Sequence, residues 1–336
     1  MLNALRTHLR AEPRPPAKAK LQFEDLEQRT VPAGFVLSGP LAGQASLVRV
    51  LDASTGAVKV QFDAFPGYTG GLNVASSDDR NGDGLPDRIV IGTKSGVGIA
   101  AVYSGSGSLL QGFTPYGPGY SGPVSVAFAD VNKDRVDDAV TGTAAGASLV
   151  KVFDGRTQAE IRSFQAFSGF SGGVNVGSGD INRDGVDDVI VGPASVAAAV
   201  AVYDGRTSEQ IRYQVFGLMP GGVRVAGGDL DHDGGDDIVV ATGPGSVPLV
   251  GVFRGSDMSL LGGGQIFESS YIGGVELEVH DINGDGKDDL VVERHSGGAR
   301  FHAFDDAGAH DINDDRQSLA PQPGDDSSGR NGGSGH

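Results

Sequence analysis

Oxygen-bearing side chains recur in five short loops of the chain, where they occupy positions one, three, five and nine of each loop. The loops begin at Asp79, Asp130, Asp180, Asp229 and Asp281, at spacings of 51, 50, 49 and 52 residues. Carboxylates and amides in this pattern, with glycine at position six, form a calcium ligand set. A backbone carbonyl at position seven is expected to add a further oxygen. The sequence therefore predicts up to five bound Ca²⁺ ions.

The predicted ligands are the side chains at positions one, three, five and nine and the carbonyl group at position seven. In chain order they are Asp79, Asn81, Asp83, Leu85 and Asp87; Asp130, Asn132, Asp134, Val136 and Asp138; Asp180, Asn182, Asp184, Val186 and Asp188; Asp229, Asp231, Asp233, Gly235 and Asp237; and Asp281, Asn283, Asp285, Lys287 and Asp289. A single copy would be compatible with an ordinary acidic turn. Five copies at one period favour metal binding.

Two of the loops differ from the others in ways that predict different affinities. Loop two carries Arg135 at position six, where a left-handed backbone costs a non-glycine residue about 1–2 kcal/mol. Loop four carries Asp231 at position three, where the others carry asparagine. We therefore expect loop two to bind calcium most weakly and loop four most tightly.

The composition limits the classes of partner. The net charge is −17, and sixteen aspartates stand at the predicted ligand positions. Nucleic acid is not expected as a partner, because phosphate contacts require clustered lysine and arginine. The chain has no cysteine, which excludes disulfides and thiolate catalysis. It also has no apolar run of about 18 residues, so no transmembrane segment is expected.

The residues around the loops predict the elements that position them. In the third repeat, short runs rich in valine and isoleucine lie at 174–180, 188–192, 198–204 and 210–216, separated by Gly, Ser and Asp turns. Such runs are typical of strands, and four strands per repeat of about 50 residues are typical of a propeller blade. We predict an all-β protein: a β-propeller of about six four-stranded blades, with five or seven as alternatives. The calcium loops join the first and second strands of each blade.

The ends of the repeat array predict its boundaries. Residues 35–51 align with the second and third strands of a blade and 58–65 with the fourth, so a first strand is missing there. The last repeat, 275–304, shows no fourth strand, and pairing of the chain ends would close the ring. We assign residues 1–34 to a basic, largely disordered leader, 35–305 to the propeller, and 306–336 to a disordered tail. Within the tail, residues 310–315 echo the start of loop five and predict a decayed loop or a closing segment.

Two resemblances to known families rest on these motifs. The recurring Asp-x-[Asp/Asn]-x-Asp-Gly-x-x-Asp loop, followed by a valine-rich run such as Asp188-Val-Ile-Val-Gly192, resembles the FG-GAP/VCBS-type repeats of integrin α propellers. The resemblance covers about residues 35–305 and implies calcium ions in hairpin loops on one face of a propeller. The segment Leu21–Gly34 resembles the LExR-type leader of bacterial extracytoplasmic proteins, which implies export.

The function that we expect is a non-catalytic one. The sequence contains no nucleophile elbow, HExxH motif or phosphate-binding loop. We predict a secreted or cell-surface adhesion or protein-interaction module whose partner is a protein or a glycan. A lectin-like propeller is the alternative, and an accessory or catalytic propeller in polysaccharide processing is a third. One aromatic residue per repeat (Phe65, Tyr116, Phe167, Phe216 and Phe267) would either pack between blades or form a sugar-binding ring.

Overall fold

The fold consists entirely of β-sheets in the part of the chain that is described. The structure is a computed structural model that describes residues 34–294, 301–305 and 310–311. Within these ranges the strands form six antiparallel sheets, five of four strands and one of three. We call the three-stranded sheet the incomplete blade and number the four-stranded sheets blades 1 to 5, so that loops one to five belong to blades 1 to 5.

The strands are numbered in chain order. The incomplete blade comprises β1 (Phe35–Ser38), β2 (Leu47–Asp52) and β3 (Val58–Asp63). Blade 1 comprises β4 (Leu72–Ser76), β5 (Arg88–Thr93), β6 (Ala100–Ser104) and β7 (Leu109–Phe113). Blade 2 comprises β8 (Val124–Ala129), β9 (Asp138–Thr143), β10 (Leu149–Phe153) and β11 (Glu160–Gln165). Blade 3 comprises β12 (Val174–Gly179), β13 (Asp188–Pro193), β14 (Ala198–Tyr203) and β15 (Gln210–Gly217). Blade 4 comprises β16 (Val223–Gly228), β17 (Asp237–Thr242), β18 (Leu249–Phe253) and β19 (Leu260–Gln265). Blade 5 comprises β20 (Val275–His280), β21 (Asp289–Arg294), β22 (Phe301–Asp305) and β23 (His310–Asp311).

Each four-stranded blade is a meander in which every strand pairs with the next one along the chain. The second strands of blades 2, 3 and 4 are buried at every residue, because neighbouring blades cover both of their faces. This double coverage explains the continuous runs of valine and isoleucine in β13 and β17, in place of a polar–apolar alternation. The fourth strands are largely exposed and mark the outer rim.

The hydrophobic core lies between the blades. One cluster joins Ile190 and Val202 of blade 3 to Val223, Val225 and Ile238 of blade 4. Comparable clusters contain residues of blades 2 and 3 and of blades 4 and 5. Each blade therefore buries its apolar faces only against its neighbours, as expected of a repeat architecture.

The two ends of the propeller meet without sharing a sheet. Gly34, just before β1, donates its N–H to the Ile282 carbonyl in loop five at 3.0 Å. The Leu37 N–H donates to the Glu278 carboxylate of β20 at 3.2 Å. On its other side β1 contacts β4, the first strand of blade 1. The incomplete blade thus closes the ring through contacts with the first strands on either side.

Charged side chains lie where the incomplete blade leaves room for a missing first strand. Glu276 of β20 pairs with Lys94, which follows β5, at 3.0 Å, and with Arg224 of β16 at 3.0 Å. Burial raises the pKa of Glu278 to about 8 and that of Glu293 to about 7. Ion pairs and hydrogen bonds therefore bridge blades 1, 4 and 5 at this point.

The propeller prediction is confirmed, with five four-stranded blades, one of the two alternative counts. The incomplete blade lacks a first strand, as its sequence indicated. The expectation that the last repeat lacks a fourth strand is wrong, because β23 pairs with β22 through His310 and Asp311. Those two residues fall within the predicted tail. Apart from them and Gly34, the predicted leader and tail lie outside the described residues.

Candidate metal centre

All five acidic loops occupy the same place in their blades. Each joins the first strand of a blade to the second, as for loop three between β12 and β13. Because the first strands of a propeller all run in the same direction, these turns lie together at one end of the ring. The repeat therefore brings five copies of one side-chain constellation to a single face.

Backbone N–H groups orient the carboxylates identically in the five loops. The N–H at position six donates to the position-one carboxylate at 2.6–3.0 Å. The N–H at position five donates to the position-three oxygen at 2.9–3.2 Å. The N–H at position seven donates to the position-five carboxylate at 2.9–3.2 Å. Each loop thus turns side-chain oxygens inward, and the second oxygen of the position-five carboxylate stays outside this network.

Two residues in each loop have a left-handed backbone. At position six the φ angles are 65° for Arg135 and 75–87° for the glycines of the other loops. Four loops thus carry the glycine expected at position six. Arg135 of loop two adopts the same left-handed conformation despite its side chain. Position four is also left-handed, including Lys133, Arg183 and His232 at 57–62°. This second position was not predicted from the sequence, where its only signal is a glycine in loops one and five.

Four of the five position-nine aspartates lie at the buried start of a second strand, whereas Asp87 of loop one is half-buried and precedes β5. Asp138, Asp188, Asp237 and Asp289 are fully buried. Burial raises the pKa of Asp138 and Asp188 to about 7 and that of Asp237 to about 6. A buried carboxylate is costly unless a cation or hydrogen bonds compensate for it. Backbone N–H groups supply part of this compensation, as Val131 and Gly155 do for Asp138, and a bound cation would add to it.

Loop four brings three carboxylates closest together. One oxygen each of Asp229, Asp231 and Asp237 lies within 4.8 Å of the others. Carboxylate oxygens at this separation can hold a metal ion, and a hard divalent cation suits an all-oxygen donor set. In the other loops an asparagine replaces the second of these aspartates. The assignment of all five loops as calcium sites, including the position-seven carbonyl groups, stays a prediction.

Arginines from a second hairpin reach loops two, three and four. Arg156, Arg206 and Arg254 lie in the turns between the third and fourth strands of blades 2, 3 and 4. Arg156 Nε lies 2.6 Å from Asp134, Arg206 Nη1 lies 3.5 Å from Asp184, and Arg254 Nη2 lies 2.6 Å from Asp231. These arginines were not predicted as part of the site. Their signal was the Asp-Gly-Arg-Thr turn at 154–157 and again at 204–207.

A comparison with known families agrees with this geometry. A family model described as FG-GAP-like repeat matches residues 79–141, from the start of loop one into β9. This match and the fold together support an FG-GAP-repeat β-propeller. No curated protein matches the chain. Over the described ranges, no helix of the FG-GAP propeller is long and apolar enough to cross a membrane.

The FG-GAP loops are linked from blade to blade through position eight. The Asp187 carboxylate accepts the N–H of Asp130 at 2.6 Å, and the Asp236 carboxylate accepts the N–H of Asp180 at 2.7 Å. Asp288 accepts the N–H of Asp229 at 2.9 Å in the same way. Each of these bonds fixes the first residue of one loop to the loop of the following blade. Their signal in the sequence is a second aspartate directly before the position-nine ligand in loops two to five.

The five repeated aromatic residues lie in the core of the FG-GAP propeller. Phe267 is 5% exposed, and the other four are partly buried and pack against interblade clusters. Four of them meet a second aromatic ring edge-on, as Phe167 meets Phe170 at 6.1 Å. Their arrangement matches the packing interpretation and does not form an exposed ring.

Proposed function

We propose that this FG-GAP propeller is a non-catalytic, calcium-stabilised module that binds a partner protein at or beyond the cell surface. The observation that carries the proposal is the identical oxygen-donor geometry of five loops on one face. In each loop the residues at positions one, three, five and nine would hold the ion, with the position-seven carbonyl. Bound calcium would supply positive charge to carboxylates that otherwise repel one another.

A protein partner is preferred to a glycan because of the placement of the aromatic residues. Sugar-binding propellers need aromatic faces open to solvent, whereas the repeated aromatics of this chain pack between blades. The propeller fold suits a protein-interaction module, since its rim and faces present many loops on a rigid support. A glycan array that yielded strong, calcium-dependent binding would favour the lectin-like alternative. Turnover of any polysaccharide in a substrate panel would contradict the non-catalytic part.

The expected affinity of the loops supports an extracytoplasmic location. Extracellular calcium modules bind at about 10⁻⁴–10⁻³ M, concentrations that are met outside the cytosol. The leader-like segment at residues 21–34 supports export independently. Protease treatment of intact producing cells tests this location. Digestion only after lysis would contradict it.

The experiment that tests calcium binding is thermal unfolding of the full chain with a chelator and with 10 mM calcium. Each site with the affinity above would stabilise the fold by about 1.4–2.7 kcal/mol. About 260 described residues correspond to an unfolding entropy of about 0.55 kcal/mol/K, so five sites would raise Tm by about 12–25 °C. Titration calorimetry then counts the sites, with magnesium as the control cation. A Tm indifferent to the chelator would overturn the proposal.

A further inference from the structure

The hairpin arginines contact the ligand carboxylates at the oxygen that the loop itself leaves unused. In loop two, Asp134 Oδ1 accepts the Val136 N–H at 2.9 Å, and Oδ2 lies 2.6 Å from Arg156 Nε. In loop three, Asp184 Oδ1 accepts the Val186 N–H at 3.0 Å, and Oδ2 lies 3.5 Å from Arg206 Nη1. The guanidinium group therefore stands beside the oxygen that a metal ion would need.

Loop four is contacted by Arg254 of the corresponding turn, at position three of the loop instead of position five. Asp231 Oδ1 accepts the Asp233 N–H at 3.2 Å, and Oδ2 accepts from Arg254 at 2.6 and 3.1 Å. The Arg254 Nε also lies 3.7 Å from Asp233 Oδ2. A second arginine, Arg183 of loop three, pairs with the other oxygen of Asp233. The loop with the most negative charge thus receives an arginine at two of its ligand carboxylates.

The arginines also hold the loop backbone. Arg156 Nη2 donates to the Asp134 carbonyl at 2.7 Å, and Arg206 Nη2 donates to the Asp184 carbonyl at 3.1 Å. A guanidinium group that binds both a carboxylate and a carbonyl of one residue fixes its position as well as its charge.

Loop one provides a natural comparison without this arginine. The corresponding turn of blade 1 carries Ser106 at the position of Arg156 and Arg206. The Asp83 carboxylate accepts the Leu85 N–H at 2.9 Å, as in the other loops. In the sequence of blade 5, the aligned residue is Ala307, which lies outside the described residues. Blade 4 carries Ser256 at this position, and its Arg254 lies two residues earlier, where blades 2 and 3 carry Asp154 and Asp204. An arginine in this turn is therefore a feature of blades 2, 3 and 4, at two different positions, and it varies separately from the loop itself.

We infer that Arg156, Arg206 and Arg254 are built-in counter-cations that stabilise the metal-free loops and compete with calcium for the ligand carboxylates. The inference rests on the proposed calcium binding. It follows that loop four binds calcium more weakly than its charge alone suggests, contrary to the ranking drawn from the sequence. It also follows that loop one, whose blade has no arginine in the corresponding turn, binds more tightly than loops two to four. Competition of this kind keeps the ring folded when calcium is scarce.

Arg254→Ala is the most informative variant, because its pair is the least exposed. The side chains of Arg254 and Asp231 are 36% and 15% exposed, against 56% and 29% for Arg156 and Asp134. We expect one of the calcium sites to gain about three- to tenfold in affinity by titration calorimetry. The metal-free Tm is expected to fall while the calcium-induced rise in Tm grows. Arg49→Ala is the matched control, since it removes the same charge from the incomplete blade, which has no metal loop.

Two further variants test the competition, one by removing all three arginines and one by introducing an arginine in blade 1. The triple variant Arg156→Ala, Arg206→Ala and Arg254→Ala should raise the calcium affinity of three sites. Ser106→Arg should weaken one site by a similar factor. The inference would be overturned if Arg254→Ala bound calcium with unchanged or lower affinity and Ser106→Arg lost no affinity. The proposal that the loops bind calcium would still stand in that case. If the unaltered protein binds no calcium, the proposed function fails as well, and the two failures are thereby distinguished.

Discussion

The substitution Asp180→Asn removes one predicted ligand charge from loop three while keeping the shape of the side chain. The Asp180 carboxylate accepts the Asp184 N–H through Oδ1 at 3.0 Å and the Gly185 N–H through Oδ2 at 2.8 Å. An asparagine amide has one acceptor oxygen, so one of these two N–H groups would face an NH₂ group. The variant therefore loses one hydrogen bond of the metal-free loop and weakens its calcium site.

These two effects have separate magnitudes. The lost hydrogen bond costs about 1 kcal/mol. With an unfolding entropy of about 0.55 kcal/mol/K for about 260 residues, the metal-free Tm falls by about 2 °C. Loss of one of five sites removes about 1.4–2.7 kcal/mol of calcium stabilisation at 10 mM calcium. The calcium-induced rise in Tm is therefore expected to shrink by about 3–5 °C.

The assay is differential scanning fluorimetry or calorimetry of the full chain in chelator and in calcium. Asp257→Asn serves as the control, because Asp257 is an exposed turn residue of blade 4 outside the loops, where it accepts the Ser259 N–H at 2.9 Å. A control with an unchanged calcium response and an Asp180→Asn variant with a reduced one would support the site. A full calcium response in Asp180→Asn would refute the reasoning that position one is a ligand.

Three further predictions concern pH, a strained residue and an interblade hydrogen bond. Burial raises the pKa of Glu278 to about 8 and of Asp188 to about 7, so the folded chain binds more protons than the unfolded chain between about pH 4 and 8. Metal-free stability should therefore decline across that window, and a Tm in metal-stripped buffer that rises from pH 5 to pH 8 would contradict this. Arg135→Gly relieves a left-handed backbone with φ of 65° and should stabilise the metal-free fold by up to about 1 kcal/mol in urea unfolding; a loss of stability would disprove it. Tyr203→Phe removes a hydroxyl that donates to a buried carbonyl of the preceding blade and should cost about 1–2 kcal/mol, whereas exposed Tyr213→Phe should change little. Equal Tm values for these two variants would argue against that bond.

The strands and the loops were readable from the sequence because both depend on local chemistry. A loop such as Asp180–Asp188 makes most of its hydrogen bonds between residues two to six positions apart, so its residue types and spacing already specify its shape. The valine-rich second strands likewise indicated from their residue types alone that they would be buried. Repetition at about 50 residues then predicted a ring, since an open array would leave strand edges unpaired.

Contacts between blades could not be predicted from local patterns in the sequence. Asp236 lies 56 residues from Asp180, and Arg254 lies 23 residues from Asp231, so their partners are set by how the blades pack. The same holds for ring closure, where Glu276 meets Lys94 across 182 residues. The sequence by itself determined the repeat, its strands and the oxygen donors of each loop, because these are local patterns of residue type. Only the tertiary structure decided which charges neighbour those donors and how the ring closes, because both depend on distances between segments far apart in the chain.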